Sequence, residues 1–136
     1  MAAKIKSISV IFARVLLGLI YFVFGLNFFL NFLPTPPQEP GAAQTFVTGL
    51  FQSGYFFPFM KSVEVILGAL LIVGLFVPVS LVILMPISLN ILLFHTFLTP
   101  GNAAMSIVII ALHLYTAWAY RDYFRVLLTG KAKASL

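Results

Sequence analysis

The chain has 136 residues, of which 62% are hydrophobic and 8% charged, far below the roughly 25% charged residues of an ordinary soluble domain, so a water-facing surface is excluded and lipid is the natural solvent. Its 8 basic and 3 acidic residues give +5, but the basic ones cluster at the chain ends without interleaved stacking aromatics, which argues against a nucleic-acid partner. With no cysteine, the chain alone can perform no disulfide exchange and supply no cluster thiolate, thioether-linked haem or thiolate nucleophile.

Crossing about 30 Å of hydrocarbon takes roughly 20 apolar residues in a helix. Four runs meet that length: Ile8 to Leu33, Phe59 to Val77, Val79 to Leu98, and Ala103 to Tyr120. The first follows a basic start and continues without a small-residue cleavage site, so it reads as a retained helix rather than a signal peptide. Pro34, Pro36, Pro37, Pro40 and Gly41 then interrupt any helix. Between Ala43 and Gln52, the apolar Phe46, Val47, Leu50 and Phe51 recur at helical spacing against Gln44, Thr45 and Thr48, the pattern of a short amphipathic helix lying on the membrane surface. The step Val77-Pro78-Val79-Ser80 and the turn Thr99-Pro100-Gly101-Asn102 are short, so the last three spans should be antiparallel neighbours. The expected fold is all-α, an antiparallel bundle of four transmembrane helices followed by a basic tail over 121–136.

Seven basic residues, Lys4, Lys6, Arg14, Arg121, Arg125, Lys131 and Lys133, lie toward the two chain ends, and only Lys61 lies toward the opposite side. The positive-inside rule places both termini in the cytoplasm.

Ionisable residues within apolar spans are costly and therefore mark candidate sites. They are Arg14, Glu64, His95 and His113, with Asn27, Asn31 and Asn90 as polar company. Counting depth from the expected helix ends puts Glu64, His95 and Asn27 at one level in the outer half. The functional reading is an outward-opening polar pocket containing Glu64, His95, Asn27 and Asn90, roofed by the amphipathic segment. The structural reading has Glu64 fixing helix register through His95 or Asn27, with Lys61 one turn earlier as its ion-pair partner. His113 lies near mid-membrane on the stripe Ser106, Ile110, His113, Ala117, Tyr120 and should hydrogen-bond across helices. His95 and His113 differ in depth by about seven residues, or about 10 Å, so haem held between them is not expected, and no metal site is proposed. Arg14, Gly18, Tyr21 and Gly25 share one face of the first helix; these glycines, with Gly68 and Gly74 in the second, read as helix-packing positions.

The run Arg14-Val15-Leu16-Leu17-Gly18-Leu19-Ile20-Tyr21-Phe22-Val23-Phe24-Gly25-Leu26, followed by Glu64-Val65-Ile66-Leu67-Gly68-Ala69-Leu70-Leu71-Ile72-Val73-Gly74-Leu75-Phe76, resembles the DoxX family of four-helix bacterial membrane proteins, and His95 resembles that family's helix-three histidine. The resemblance covers nearly the whole chain. It implies a multi-pass protein of the bacterial cytoplasmic membrane, associated with membrane redox complexes, since the family takes its name from a subunit of a thiosulfate:quinone oxidoreductase. The implied ligand is quinone or another lipid-like molecule. The chain departs from redox-active relatives in having no cysteine, and in having Asn27 where relatives often carry a basic residue.

Three functions follow. One is a membrane subunit or accessory factor of a quinone-linked redox system, in which Glu64 and His95 handle protons. The second is a non-catalytic assembly protein that holds another membrane protein or a second copy of itself through its glycine faces and the loop from Pro34 to Pro58. The third is a small transporter or channel. Whether the chain is an enzyme is left open by its residues, and the bilayer is its one certain partner.

Overall fold

The computed structural model describes residues 1–38 and 40–135; of the tail read at 121–136, Leu136 lies outside them. The first apolar run forms α1, Ala2–Leu30, which starts six residues before Ile8 because nothing between Ala2 and Ser7 breaks a helix. It stops before Leu33 because Asn31 adopts the left-handed conformation (φ 50°, ψ 45°), a cap that Asn tolerates better than most residues. Asn27 completes the turn: its Oδ1 accepts the Leu33 N–H at 2.7 Å and its Nδ2 donates to the Leu33 carbonyl at 3.4 Å.

The segment after the prolines forms α2, Ala42–Gln52, with Ala43 buried and Val47 and Leu50 half-buried where it packs on the next helix. That helix, α3, runs Phe56–Val73. Pro58 sits in its first turn, where the missing N–H costs nothing. The expected extension to Val77 does not form. Gly74 takes φ 81°, and both its N–H and that of Leu75 donate to the Leu70 carbonyl, at 2.9 and 3.0 Å, which closes the helix. Phe76 is also left-handed (φ 50°). The break is therefore Gly74-Leu75-Phe76 rather than Val77 to Ser80, and Pro78 opens the following helix, α4, Val77–Phe97. Pro86 lies inside α4 and denies the Val82 carbonyl its usual helical donor. A 3-10 turn, Pro100–Asn102, leads to α5, Ala104–Ala119, and then α6, Arg121–Phe124, with a 3-10 turn at Val126–Leu128.

Three helices, α1, α3 and α4, are long and apolar enough to cross a bilayer; α5 reaches that standard only together with the segment Arg121–Leu128, to which it is bent by 78°. Among the described residues the protein is all-helical, with three to four candidate spans. α1 packs most extensively on α3 and also on α5, while α4 packs on α5 and α3. Leu17, Leu71, Leu81 and Leu84 fill the centre.

The distribution of side chains is inverted relative to a soluble protein. Phe12, Phe24, Ile66, Val73, Leu93 and Trp118 are exposed, whereas Glu64, Ser80, Ser88, Ser106, His113 and Thr116 are buried. Ser80, Ser106 and Thr116 donate their hydroxyls to carbonyls of the preceding turn, those of Phe76, Ala103 and Leu112, at 2.9, 2.7 and 2.8 Å, so their burial leaves no unmet donor. An apolar exterior around a hydrogen-bonded polar interior is what a lipid solvent selects. The protein is a multi-pass membrane protein.

Candidate functional site

Glycines set the spacing on which the site depends. A Cβ on Gly18 would lie 2.8 Å from the Gly68 carbonyl oxygen, and one on Gly68 would lie 2.7 Å from the Phe22 backbone nitrogen. Gly25 is similarly close to Val65 and to the Lys61 carbonyl, at 2.8 and 3.2 Å. Pairing residue 18 with 68 and residue 25 with 61 and 65 makes α1 and α3 antiparallel, and it brings Tyr21 and Glu64 to the same stretch of the seam. Gly74 has a different role from these three, because it is a left-handed cap rather than a packing position.

Four polar residues, one from each long helix, then fall at one depth. Tyr21 lies nine residues before Leu30, Ser88 nine before Phe97, His113 nine after Ala104 and Glu64 eight after Phe56, all about 13 Å from the end of the bundle that carries α2. All four are essentially inaccessible. The Tyr21 hydroxyl is hydrogen-bonded to Ser88 Oγ, Ser88 Oγ lies 2.7 Å from His113 Nδ1, and His113 Nε2 lies 2.9 Å from the Leu81 carbonyl oxygen. A carbonyl can only accept, so Nε2 carries the hydrogen. In the neutral ring Nδ1 then accepts from Ser88, and Ser88 in turn accepts from Tyr21. The chain of donors has one direction, from Tyr21 to His113.

Glu64 is 2% exposed and pairs through Oε2 with Lys61 Nζ at 2.8 Å; the lysine is 20% exposed. The other oxygen, Oε1, is buried without a hydrogen-bond partner. Glu64 makes no hydrogen bond with His95 or Asn27. Of the expected shared level, Asn27 and His95 stay together, three and two residues from the ends of α1 and α4, while Glu64 lies deeper, eight residues into α3; Asn27 is spent on closing α1, and His95 Nδ1 meets Thr99 Oγ1 at 2.8 Å. Asn90 is exposed on α4 and stands apart from all three. Lys61, expected as a secondary partner, is the one that holds Glu64.

At the other end of the bundle, Arg14 lays its guanidinium against the α3 terminus. A Cβ on Gly74 would meet its Nη1 at 2.8 Å, the position where the partial negative charge of the helix end favours a cation. Nη1 also donates to the Tyr120 hydroxyl at 3.2 Å, while Nε is buried without a partner.

Two cavities flank the polar layer. A cleft of about 860 Å³ at the α2 end is lined by Gln38, Ala43, Phe94, His95, Thr99 and Asn102, among others. The Thr99 hydroxyl fixes the His95 ring at its wall. An apolar groove of about 340 Å³, lined by Leu81, Val82, Met85, Pro86, Ala117 and Phe124, has His113 at its base. Among the described residues, no group of three or more His, Cys, Asp or Glu side chains is placed to hold a metal ion.

Tyr21, Ser88 and Thr99 were not singled out as site residues by sequence reasoning, because hydroxyl side chains are common and inexpensive in membrane helices. The equal depths of residues 21, 64, 88 and 113 emerge only from the helix ends at Leu30, Phe56, Phe97 and Ala104, which apolar runs do not mark.

A family model described as DoxX matches residues 9–96, which span the glycine seam, Glu64, Ser88 and His95. No curated protein and no solved structure matches the chain.

Proposed function

The chain belongs to the DoxX family, and from that premise we propose that it is a membrane subunit or accessory factor of a quinone-linked redox system, and that its cleft at the α2 end receives the head of a quinone or a similar lipid-like molecule. In this reading the four long helices form an antiparallel transmembrane bundle in a bacterial cytoplasmic membrane. α2 lies at the outer surface and both termini are cytoplasmic. The observation that carries the proposal is the 860 Å³ cleft with His95 and Thr99 in its wall. Its volume suits a ring with the start of an isoprenoid tail, since ligand sites typically run about 300–1,000 Å³ and combine apolar walls with a few placed polar groups. When the Thr99 hydroxyl donates to Nδ1, His95 has an Nε2–H to offer a carbonyl oxygen, while Phe94 and Ala43 supply apolar wall. Glu64 is outside this cleft, so His95 acts there without a direct Glu64 proton partner.

The assembly-protein alternative loses its glycine faces, because Gly18, Gly25 and Gly68 are spent on contacts within the chain, and keeps the loop from Pro34 to Pro58. Purification in mild detergent, followed by identification of co-extracted lipids and proteins, tests the proposal. Enrichment of quinone or of a redox-enzyme partner is expected, and recovery with bulk phospholipid alone and no redox partner would refute it.

A further inference from the structure

The interior holds two features that the cleft does not use: a one-way chain of donors ending on His113, and a buried carboxylate oxygen with nothing to bond. The Leu81 carbonyl fixes the direction of the chain, so once Tyr21 donates to Ser88 its oxygen can only accept. Any further member of the chain must therefore be a donor. The group that the α1–α3 seam places at the level of Tyr21 is Glu64, whose orphaned Oε1 is such a donor only when it carries a proton.

We propose that Glu64, Tyr21, Ser88 and His113 form a proton relay across the bundle core, loaded at the Lys61–Glu64 pair and delivering to His113. In the transfer, Glu64 Oε1–H gives its proton through a bridging water to Tyr21 Oη, since no hydrogen bond joins the two side chains directly, as Tyr21 gives its own to Ser88 Oγ and Ser88 gives its own to His113 Nδ1. One O–H bond is broken and one N–H bond is formed in net. The products are a Glu64 carboxylate, held through Oε2 by the Lys61 ammonium, and an imidazolium whose Nε2–H still rests on the Leu81 carbonyl. No electron moves. The two ends face different surroundings: Lys61 is partly exposed toward the α2 end, while His113 sits at the base of the groove that reaches Phe124 at the opposite end. The groups facing Glu64 are Lys61 on its own helix and Tyr21 on α1; α4 and α5 contribute Ser88 and His113 further along the chain. This inference does not depend on the quinone reading.

The chain has only two histidines, so 15N-histidine labelling in lipid nanodiscs reads both directly, with His95, at the cleft, as internal control. The untouched protein is expected to show the Nε2–H tautomer at His113; an Nδ1–H tautomer would reverse the relay and overturn the proposal. In a pH titration, Glu64→Gln is expected to change the proton affinity of His113 by at least about threefold, leaving His95 unchanged, and Tyr21→Phe is expected to remove most of that effect. A His113 titration indifferent to Glu64→Gln, or an effect of equal size in the Tyr21→Phe background, would overturn the relay. The tautomer measurement needs no substitution, so it stands even where a variant fails to fold.

Discussion

A Cβ on Gly68 would lie 2.7 Å from the Phe22 backbone nitrogen and 2.8 Å from the Gly18 carbonyl oxygen, so backbone faces backbone where α1 crosses α3. Neither atom can swing away as a side-chain tip can. Gly68→Ala is therefore expected to cost about 2 kcal/mol through forced separation of the helices. Gly25→Ala, which meets the Val65 side chain first, should cost about half as much. Gly49→Ala in α2, with nothing near its Cβ position, should be neutral or stabilise by up to about 1 kcal/mol. Reversible unfolding in mixed micelles ranks the three, and a Gly68→Ala as mild as Gly49→Ala would contradict the seam.

Gly74 combines a left-handed backbone with the Arg14 guanidinium against its face. Gly74→Ala should cost about 1–2 kcal/mol in backbone strain alone. Part of the total should disappear in an Arg14→Ala background, where the guanidinium no longer competes for the space. Strictly additive effects in the thermal stability of the four proteins would show that the two residues do not meet.

How far the fold could be read from the residues depended on what hydropathy measures. Apolar runs report lipid contact, so the helices over the four runs stand out. Their ends do not, because Asn31 and Gly74 stop helices by backbone conformation within apolar sequence, and Pro78, which looks like a break, is harmless in a first turn. The same weakness affected the site. Depth counted from Phe59 and Leu98 set Glu64 beside His95 and Asn27, while the ends at Phe56 and Phe97 place Glu64 deeper than the other two, and Asn27 is committed to Leu33. Looking only for ionisable residues passed over Tyr21 and Ser88, whose hydroxyls join α1 to α4 and α5.

Lys61 holds a carboxylate whose side chain is 2% exposed. Lys61→Met should destabilise the protein by roughly 2 kcal/mol, less than the 3–5 typical of breaking a fully buried pair, because the lysine itself is partly exposed. Adding Glu64→Gln should restore most of that loss, since no unpaired carboxyl remains. Unfolding midpoints test this, and a double variant no more stable than Lys61→Met would contradict a stabilising ion pair.

The proposed orientation can be checked on a chain with no cysteine of its own. Single cysteines at Thr35 and Thr129 should react with an impermeant maleimide from opposite sides of intact cells, with Thr35 outside. The basic segment from Arg121 to Lys133, with Tyr123, Val126, Leu127 and Leu128 exposed, should bind anionic vesicles more tightly than neutral ones, at about 1 kcal/mol per basic residue near the surface. Equal binding to both vesicle types would contradict an electrostatic anchor.

If the cleft beside His95 receives a quinone head, equilibrium binding of a short-chain benzoquinone analogue to the nanodisc-embedded protein measures it directly. Saturable binding is expected, weakened about tenfold by His95→Ala, the equivalent of one lost hydrogen bond of about 1.4 kcal/mol, and unchanged by Asn90→Ala on the exposed side of the same helix. Binding no greater than to empty nanodiscs, or of equal strength in His95→Ala, would contradict it.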